Sequence, residues 1–159
     1  METILEAIQA KIAEPNNFKD SSYNEYQFNF VDEDSGQLEV IPNPPVKWPC
    51  ALIDISTGNF SSNGNDRFAE PATRQQGTLQ IEITVANLKI SNSSSGAPAF
   101  QKNKAFKIWK YVEALHKKMQ GFKPSEKSGA LVRSGFKKIR RDDGIQEIRI
   151  TYTLGISNC

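Results

Sequence analysis

The chain holds one histidine, His116, one position past Leu115 in a lysine-rich stretch. Nucleophilic or general-base chemistry needs a hydroxyl, thiol or carboxylate converging on such an imidazole. No partner is legible around it, so His116 reads as a helix-face residue at the edge of the core. Asp32, Glu33 and Asp34 gather three carboxylates in one turn. They could attract a cation, but they lack the spacing of a calcium loop, and a solvated turn is the simpler reading. Gly58, Gly64 and Gly77 make no phosphate-cradling pattern. Two cysteines, Cys50 and Cys159, with a single histidine cannot furnish an ordinary zinc site. They are expected to be free thiols of a reducing cytoplasm rather than a disulfide. The sequence therefore predicts no enzyme, no cofactor and no metal.

Charge is the stronger signal. Of the 20 Lys and Arg residues, 13 lie in 101–141 against two acids, a net +11. The first hundred residues carry six cations against 13 acids, a net −7, and 142–159 carry a net −2. A chain of formal charge +2 is thus strongly sorted along its length. Such sorting points to a macromolecular partner or a stacked assembly. Lys137, Lys138, Arg140 and Arg141 are expected on both faces of a strand end that projects from the core. Nucleic-acid binding through segment 101–141 is the alternative reading. About four to six phosphate contacts would then make affinity fall with salt at a log–log slope of about −0.9 per phosphate. Stacking aromatics are sparse for that role, since Phe136 is the only one in the strand and Trp109 belongs to the apolar side of a helix.

The elements that must position these residues follow from periodicity. A length of 159 residues and a hydrophobic fraction of 38% suit one domain, 1–159. Mean hydropathy is −0.52, and no apolar run approaches the roughly 20 residues of a membrane helix. The acidic, amphipathic start is unlike a secretory signal. Thr3 to Glu14 read as a helix on the stripe Ile4, Leu5, Ile8 and Ile12, with a Thr3–Glu6 capping box and a stop at Pro15. Tyr26, Phe28 and Phe30 alternate as a strand, with Leu38 to Ile41 as its returning partner. The run NPPVKWP delivers an extended chain into Cys50 to Ser56, a strand buried on both faces. Residues 57–77 are polar and read as a long loop, either disordered or ordering against a partner. Thr78 to Ala86 is the clearest central strand, with Leu79, Ile81, Ile83 and Val85 on one face and Thr78, Gln80, Glu82 and Thr84 on the other. Residues 91–99 have the composition of a flexible linker. A long helix carries Ala105, Ile108, Val112, Leu115 and Met119 on one side, widened by Phe106 and Trp109, and ends at Gly121. Ala130 to Arg141, the Asp142-Asp143-Gly144 turn and the alternating Ile148, Ile150, Tyr152, Leu154 and Ile156 make a closing hairpin. The predicted fold class is α+β, a single domain with an antiparallel or mixed sheet and two helices packed on one face.

This layout resembles the tail terminator (tail-completion) proteins of long-tailed bacteriophages and related tail-like particles. The resemblance rests on the aromatic-Pro entry Trp48-Pro49-Cys50-Ala51-Leu52-Ile53, the central strand GTLQIEITVAN, the Gly121-Phe122 stop and the closing FKKIRRDDGIQEIRITYTLGI. Residues 57–77 and the hairpin from Tyr26 to Ile41 exceed the family's minimal pattern. The resemblance implies a non-enzymatic homo-oligomeric ring, usually a hexamer, on the finished tail tube. The ring would stop tube polymerisation and offer a docking surface to the head–tail connector protein. Its implied location is the virion tail, assembled in the bacterial host cytoplasm, and its implied partners are copies of itself, the tail tube protein and the connector, with no membrane. Exposure patterning places the assembly interface at Lys137, Lys138, Arg140, Arg141, Thr78, Gln80, Glu82, Thr84 and Arg149, with residues 57–77 ordering on contact.

Overall fold

Two alternating apolar strands set the centre of the fold. A computed structural model describes residues 1–68, 70, 72–89 and 91–157. Its single sheet has five strands in the order β1-β2-β3-β5-β4. They are β1 Phe30–Glu33, β2 Cys50–Asn65, β3 Thr73–Leu88, β4 Val132–Ile139 and β5 Ile145–Ser157. β1 runs parallel to β2 and every other pairing is antiparallel, so the sheet is mixed. Leu79, Ile81, Ile83 and Val85 of β3 stand opposite Leu154, Tyr152, Ile150 and Ile148 of β5. All eight are fully buried. Above this face lie both helices, α1 Glu2–Ala13 and α2 Ala99–Met119. Ile4, Ile8 and Ile12 of α1 and Ile108, Val112, Leu115 and Met119 of α2 join the strands in one core. Each fully buried aliphatic side chain contributes about 1.5–3 kcal/mol in transfer terms. The fold is α+β with a C-terminal hairpin, β4–β5, as the periodicity predicts.

Helix details depart from expectation at particular residues. α1 begins one residue early, with the Ile4 and Leu5 amides donating to the Met1 carbonyl at 3.0 and 3.1 Å. No side chain caps it, so the Thr3–Glu6 box does not form. On α2, Trp109 is half-buried against the core, but Phe106 is exposed. It lies two residues before Ile108, about 200° around the helix from the buried stripe. Tyr111 is buried in its place. It is covered by Tyr26 edge-on at 5.4 Å and by Phe28 at 5.6 Å. Gly121 takes φ 82° after the last turn, and its amide donates to the Leu131 carbonyl at 2.9 Å.

Three expected segments are corrected. The hairpin from Tyr26 to Ile41 does not exist: β1 spans only Phe30–Glu33 and pairs with β2, while Gln37–Glu39 form a 3-10 turn. Side chains satisfy the turn's backbone, with the Gln37 amide nitrogen donating to the Glu33 carbonyl and the Ser35 amide to Gln37 Oε1, each at 2.8 Å. The stretch 91–99 is no free linker. Ser91 Oγ donates to the Gln101 carbonyl at 2.9 Å, Lys102 Nζ to the Ser95 carbonyl at 2.6 Å, and Ala99 already opens α2.

The third correction is the largest. Within 57–77, residues 57–65 and 73–77 are not loop but the arms of a hairpin, in which β2 and β3 stay paired out to Ser62↔Gln75 and Asn65↔Thr73. The antiparallel ladder satisfies the backbone, so side chains on both faces are free to be polar. From Ser56 outward β2 is exposed at every position. At about 3.3 Å per residue the arm reaches roughly 30 Å beyond the core. Asp66 pairs with Arg74 across its far end. Phe60 lies against its cross-strand partner Gly77, where a Cβ would stand 2.5 Å from the ring, so any side chain at this position would displace Phe60.

Candidate assembly interface

The second face of the sheet divides into a closed part and an open part. Cys50 and Leu52 of β2 alternate with the core residues Ala51 and Ile53. With Leu38, Ala86 and Ile145 they form a second apolar cluster, packed by Phe30, Val46 and Trp48 from the chain entering β2. Burial pushes the Cys50 thiol up to about 12. Cys159 lies outside the described residues.

An ion network borders this cluster. Glu147 is 1% exposed at its side chain and Arg141 9%. Arg141 Nη1 donates to Glu147 at 2.9 Å, while its Nη2 donates to the Leu38 carbonyl and to Asp143, each at 2.6 Å. Arg149 Nε donates to the other Glu147 oxygen at 2.8 Å, and its Nη1 stands 3.5 Å from Glu82. The bond from Arg141 holds the Asp143 carboxyl below its usual range. Glu147 raises the Arg149 guanidinium further above its ordinary value.

Two expected interface residues are therefore structural. Arg141 turns inward because Glu147 and the Leu38 carbonyl need its donors, so it is not a surface cation. Thr84 is 2% exposed, flanked in the sheet by Leu52 and Arg149 beneath the covering segment. Thr78 and Gln80 are exposed, and Glu82 and Arg149 are half-exposed. With Lys137, which stands opposite Arg149, they share the open polar face of the sheet. Lys138 pairs with the core-facing Ile148 and so lies on the helix side of β4, and Arg140 is exposed just past the strand. The four cations, interrupted by Ile139, are thus each placed differently and form no single patch.

Sequence reasoning missed two apolar surface features. The first is on the edge strand β4. Phe136 is 60% exposed and Phe106 51%. Trp109 meets Phe136 edge-on at 6.0 Å. Phe106 is Trp109's neighbour one helical turn back. Arg133 and Lys138 lie on the same side of β4 as Phe136, since all three pair with core-facing residues of β5. The second is a groove of about 560 Å³ where the arm leaves the sheet beside α1. Met1, Leu5, Ile55, Phe60 and Leu79 line it with the acids Glu2 and Glu33, while Asp54, which pairs with Glu82, turns its side chain to the polar face. The available signals were aromatics out of place: Phe106 off the helical stripe and Phe60 alone in a polar segment.

Among the described residues, no carboxylate, thiol or serine or threonine hydroxyl hydrogen-bonds to the His116 ring. Its Nδ1 lies 3.5 Å from the Tyr152 hydroxyl. Burial, with Arg133 and Lys117 adding to it, lowers its pKa. Among the described residues no group of three or more His, Cys, Asp or Glu side chains is placed to hold a metal ion. No helix among them is long and apolar enough to cross a membrane.

No family model matches the sequence, and no curated protein matches it. Among solved structures, the chain is similar in fold to a chain of the virion of a native gene transfer agent particle. The TM-score is 0.53 at 9% identity, with 97% of this chain and 94% of that chain covered. Identity at that level speaks for the fold alone, but the likeness runs over nearly the whole of both chains.

Proposed function

We propose that this chain is a structural virion protein of a phage or phage-tail-like particle, and that it acts there as a tail terminator. The carrying observation is the fold shared, over nearly the full length of both chains, with a component of a gene transfer agent virion. Its anatomy supports an assembly role. The arm carries few apolar residues of its own, half of one sheet face is open and polar, and apolar features stand exposed at its two edges. A heterologous contact repeated by rotation closes into a ring and so limits its own growth. Such a ring, a hexamer on this reading, would cap the tail tube protein, stop its polymerisation and present a surface to the head–tail connector. The role is one of assembly, without catalysis or cofactor.

Size-exclusion chromatography with light scattering, followed by electron microscopy of the chain mixed with tail tube protein, tests the proposal. Closed rings seated on tube ends, with tube length limited by added protein, are expected. A chain that stays monomeric and leaves tube growth unchanged would sink it.

A further inference from the structure

The two apolar features lie at opposite edges of the sheet. β4 is the last strand of the order β1-β2-β3-β5-β4, and the groove lies between α1, β1 and the outgoing part of β2, beside the first. Their charges are opposite. Arg133 and Lys138 flank the aromatic edge, and Glu2 and Glu33 border the groove. Among the described residues, none of these four has an ion-pair partner within the chain. This contrasts with Arg141, Glu147, Asp143 and Arg149, which are all consumed in one network.

We propose that the Phe106–Phe136 edge of one copy, with Arg133 and Lys138, seats in the Met1–Leu5–Phe60 groove of a second copy, head to tail. The inference rests on the ring reading above and names the contact that builds the ring. Exposed phenyl groups beside Trp109, with flanking cations, need an apolar recess with acidic walls, and the chain carries one. The groove volume falls within the roughly 300–1,000 Å³ of pockets that enclose a compact apolar group. Aromatic and Arg side chains at the centre of such contacts carry most of the binding energy, while charges at the rim set orientation and encounter rate. A contact between opposite edges leaves the pair with one free edge and one free groove, so it propagates until rotation closes it. It also covers β4, whose outer backbone groups are otherwise an open template for unwanted strand pairing.

The test uses the full chain and two surface variants. The edge variant is Phe136→Ala with Phe106→Ala, and the groove variant is Glu2→Lys with Glu33→Lys, so that the two altered surfaces carry no opposite charges that could pair them. Circular dichroism and thermal melts check that each is folded. Sedimentation velocity is then run on wild type, on each variant and on their equimolar mixture. Each variant alone is expected to lose self-association, with a rise of about tenfold or more in the dissociation constant. The mixture is expected to stop at one-to-one dimers, because only one edge and one groove remain intact between them. Wild-type association is expected to weaken with added salt. Rings that persist unchanged in both variants overturn this contact and leave the ring reading standing. A mixture that forms no dimer overturns the head-to-tail arrangement, and a wild-type chain that stays monomeric overturns both. Wild-type oligomers that vanish in both variants and pair in the mixture, yet never cap tubes, uphold the contact and sink the terminator role.

Discussion

Arg141 offers the sharpest test of the packing argument, because its neighbours in sequence are surface cations and it is not. Replacing it with Ala removes two bonds of 2.6 Å and one of 2.9 Å, to the Leu38 carbonyl, Asp143 and Glu147. Glu147 is left 1% exposed with Arg149 as its remaining partner. Breaking a buried pair by deleting one member costs about 3–5 kcal/mol. Arg149 still offsets part of the Glu147 charge, so the lower end, about 3 kcal/mol, is expected. For a domain of this size each kcal/mol lowers Tm by about 2–4 °C, giving a drop of about 6–12 °C. Arg140→Ala is the control, expected within about 0.5 kcal/mol of wild type because its side chain is exposed. A double variant, Arg141→Met with Glu147→Leu, is expected to recover most of the loss, since an apolar pair of similar volume needs no compensating charge. Equilibrium urea unfolding of the four proteins reads all three values. The network also gives an acid limb. Asp143 has a depressed folded pKa, so its contribution is complete above the ordinary aspartate range and is lost as pH falls through the folded value. Equal stability of Arg141→Ala and Arg140→Ala would refute the reasoning.

Four further outcomes are expected. His116 has a folded pKa below its ordinary 6.5, so the unfolded chain binds its proton first; stability is complete above that value and falls as pH drops below it, and His116→Gln flattens this limb in melts taken between pH 5 and 8. The Cys50 thiol, pushed up to about 12 by burial, resists alkylation at pH 8 in the folded chain and reacts fully in denaturant, as peptide mass spectrometry will show. Excising residues 61–76 and joining Phe60 to Gly77 through Asn-Gly, a favoured two-residue hairpin turn, leaves the core intact and Tm within about 5 °C of wild type. DNA binding at low salt is weak, and its log–log salt slope stays below about 3, because with Arg141 turned inward only Lys137, Lys138 and Arg140 remain of the basic run.

The parts of the fold legible in the sequence are those where burial imposes a period. Ile148 to Ile156 could alternate only as a half-buried strand, and Ile108, Val112, Leu115 and Met119 only as a helix stripe. The arm was illegible for the opposite reason. A two-sided solvated ribbon buries nothing, so Ser, Asn, Gly and Thr appear in it with no apolar alternation, and composition alone gives a loop. β1 was misplaced because its partner is a parallel strand some twenty residues on, while Tyr26 and Phe28 spend their alternation on covering Tyr111. At the candidate interface, the polar side of β3 was read correctly except at Thr84. There burial comes from the covering segment, which no local pattern records. Arg141 was misread because a run of cations conceals which member faces an acid. Glu147, an acid at a position otherwise kept for buried residues, was the one available hint.

The open half of the sheet explains why assembly fits this chain better than a free-standing life. A sheet with one helical layer ordinarily leaves its second face to water. Here the chain instead closes half of that face with the segment leading into β2 and fixes the border with a buried ion network. An arm of roughly 30 Å is then extended from the other half. Rigid closure at one end and projection at the other would have little use in a monomer, where the arm's ordering entropy is offset only by its own ladder. Both become useful if neighbouring copies supply the surfaces that the arm and the open face lack. The unpaired charges agree with that division. Arg141, Glu147 and Arg149 are satisfied within the chain and hold it together, whereas, among the described residues, Arg133, Lys138, Glu2 and Glu33 are left unpaired at opposite edges. In the proposed ring, a copy placed beside another by rotation would bring those edges into register and leave the arm and the polar face free for whatever lies above or below.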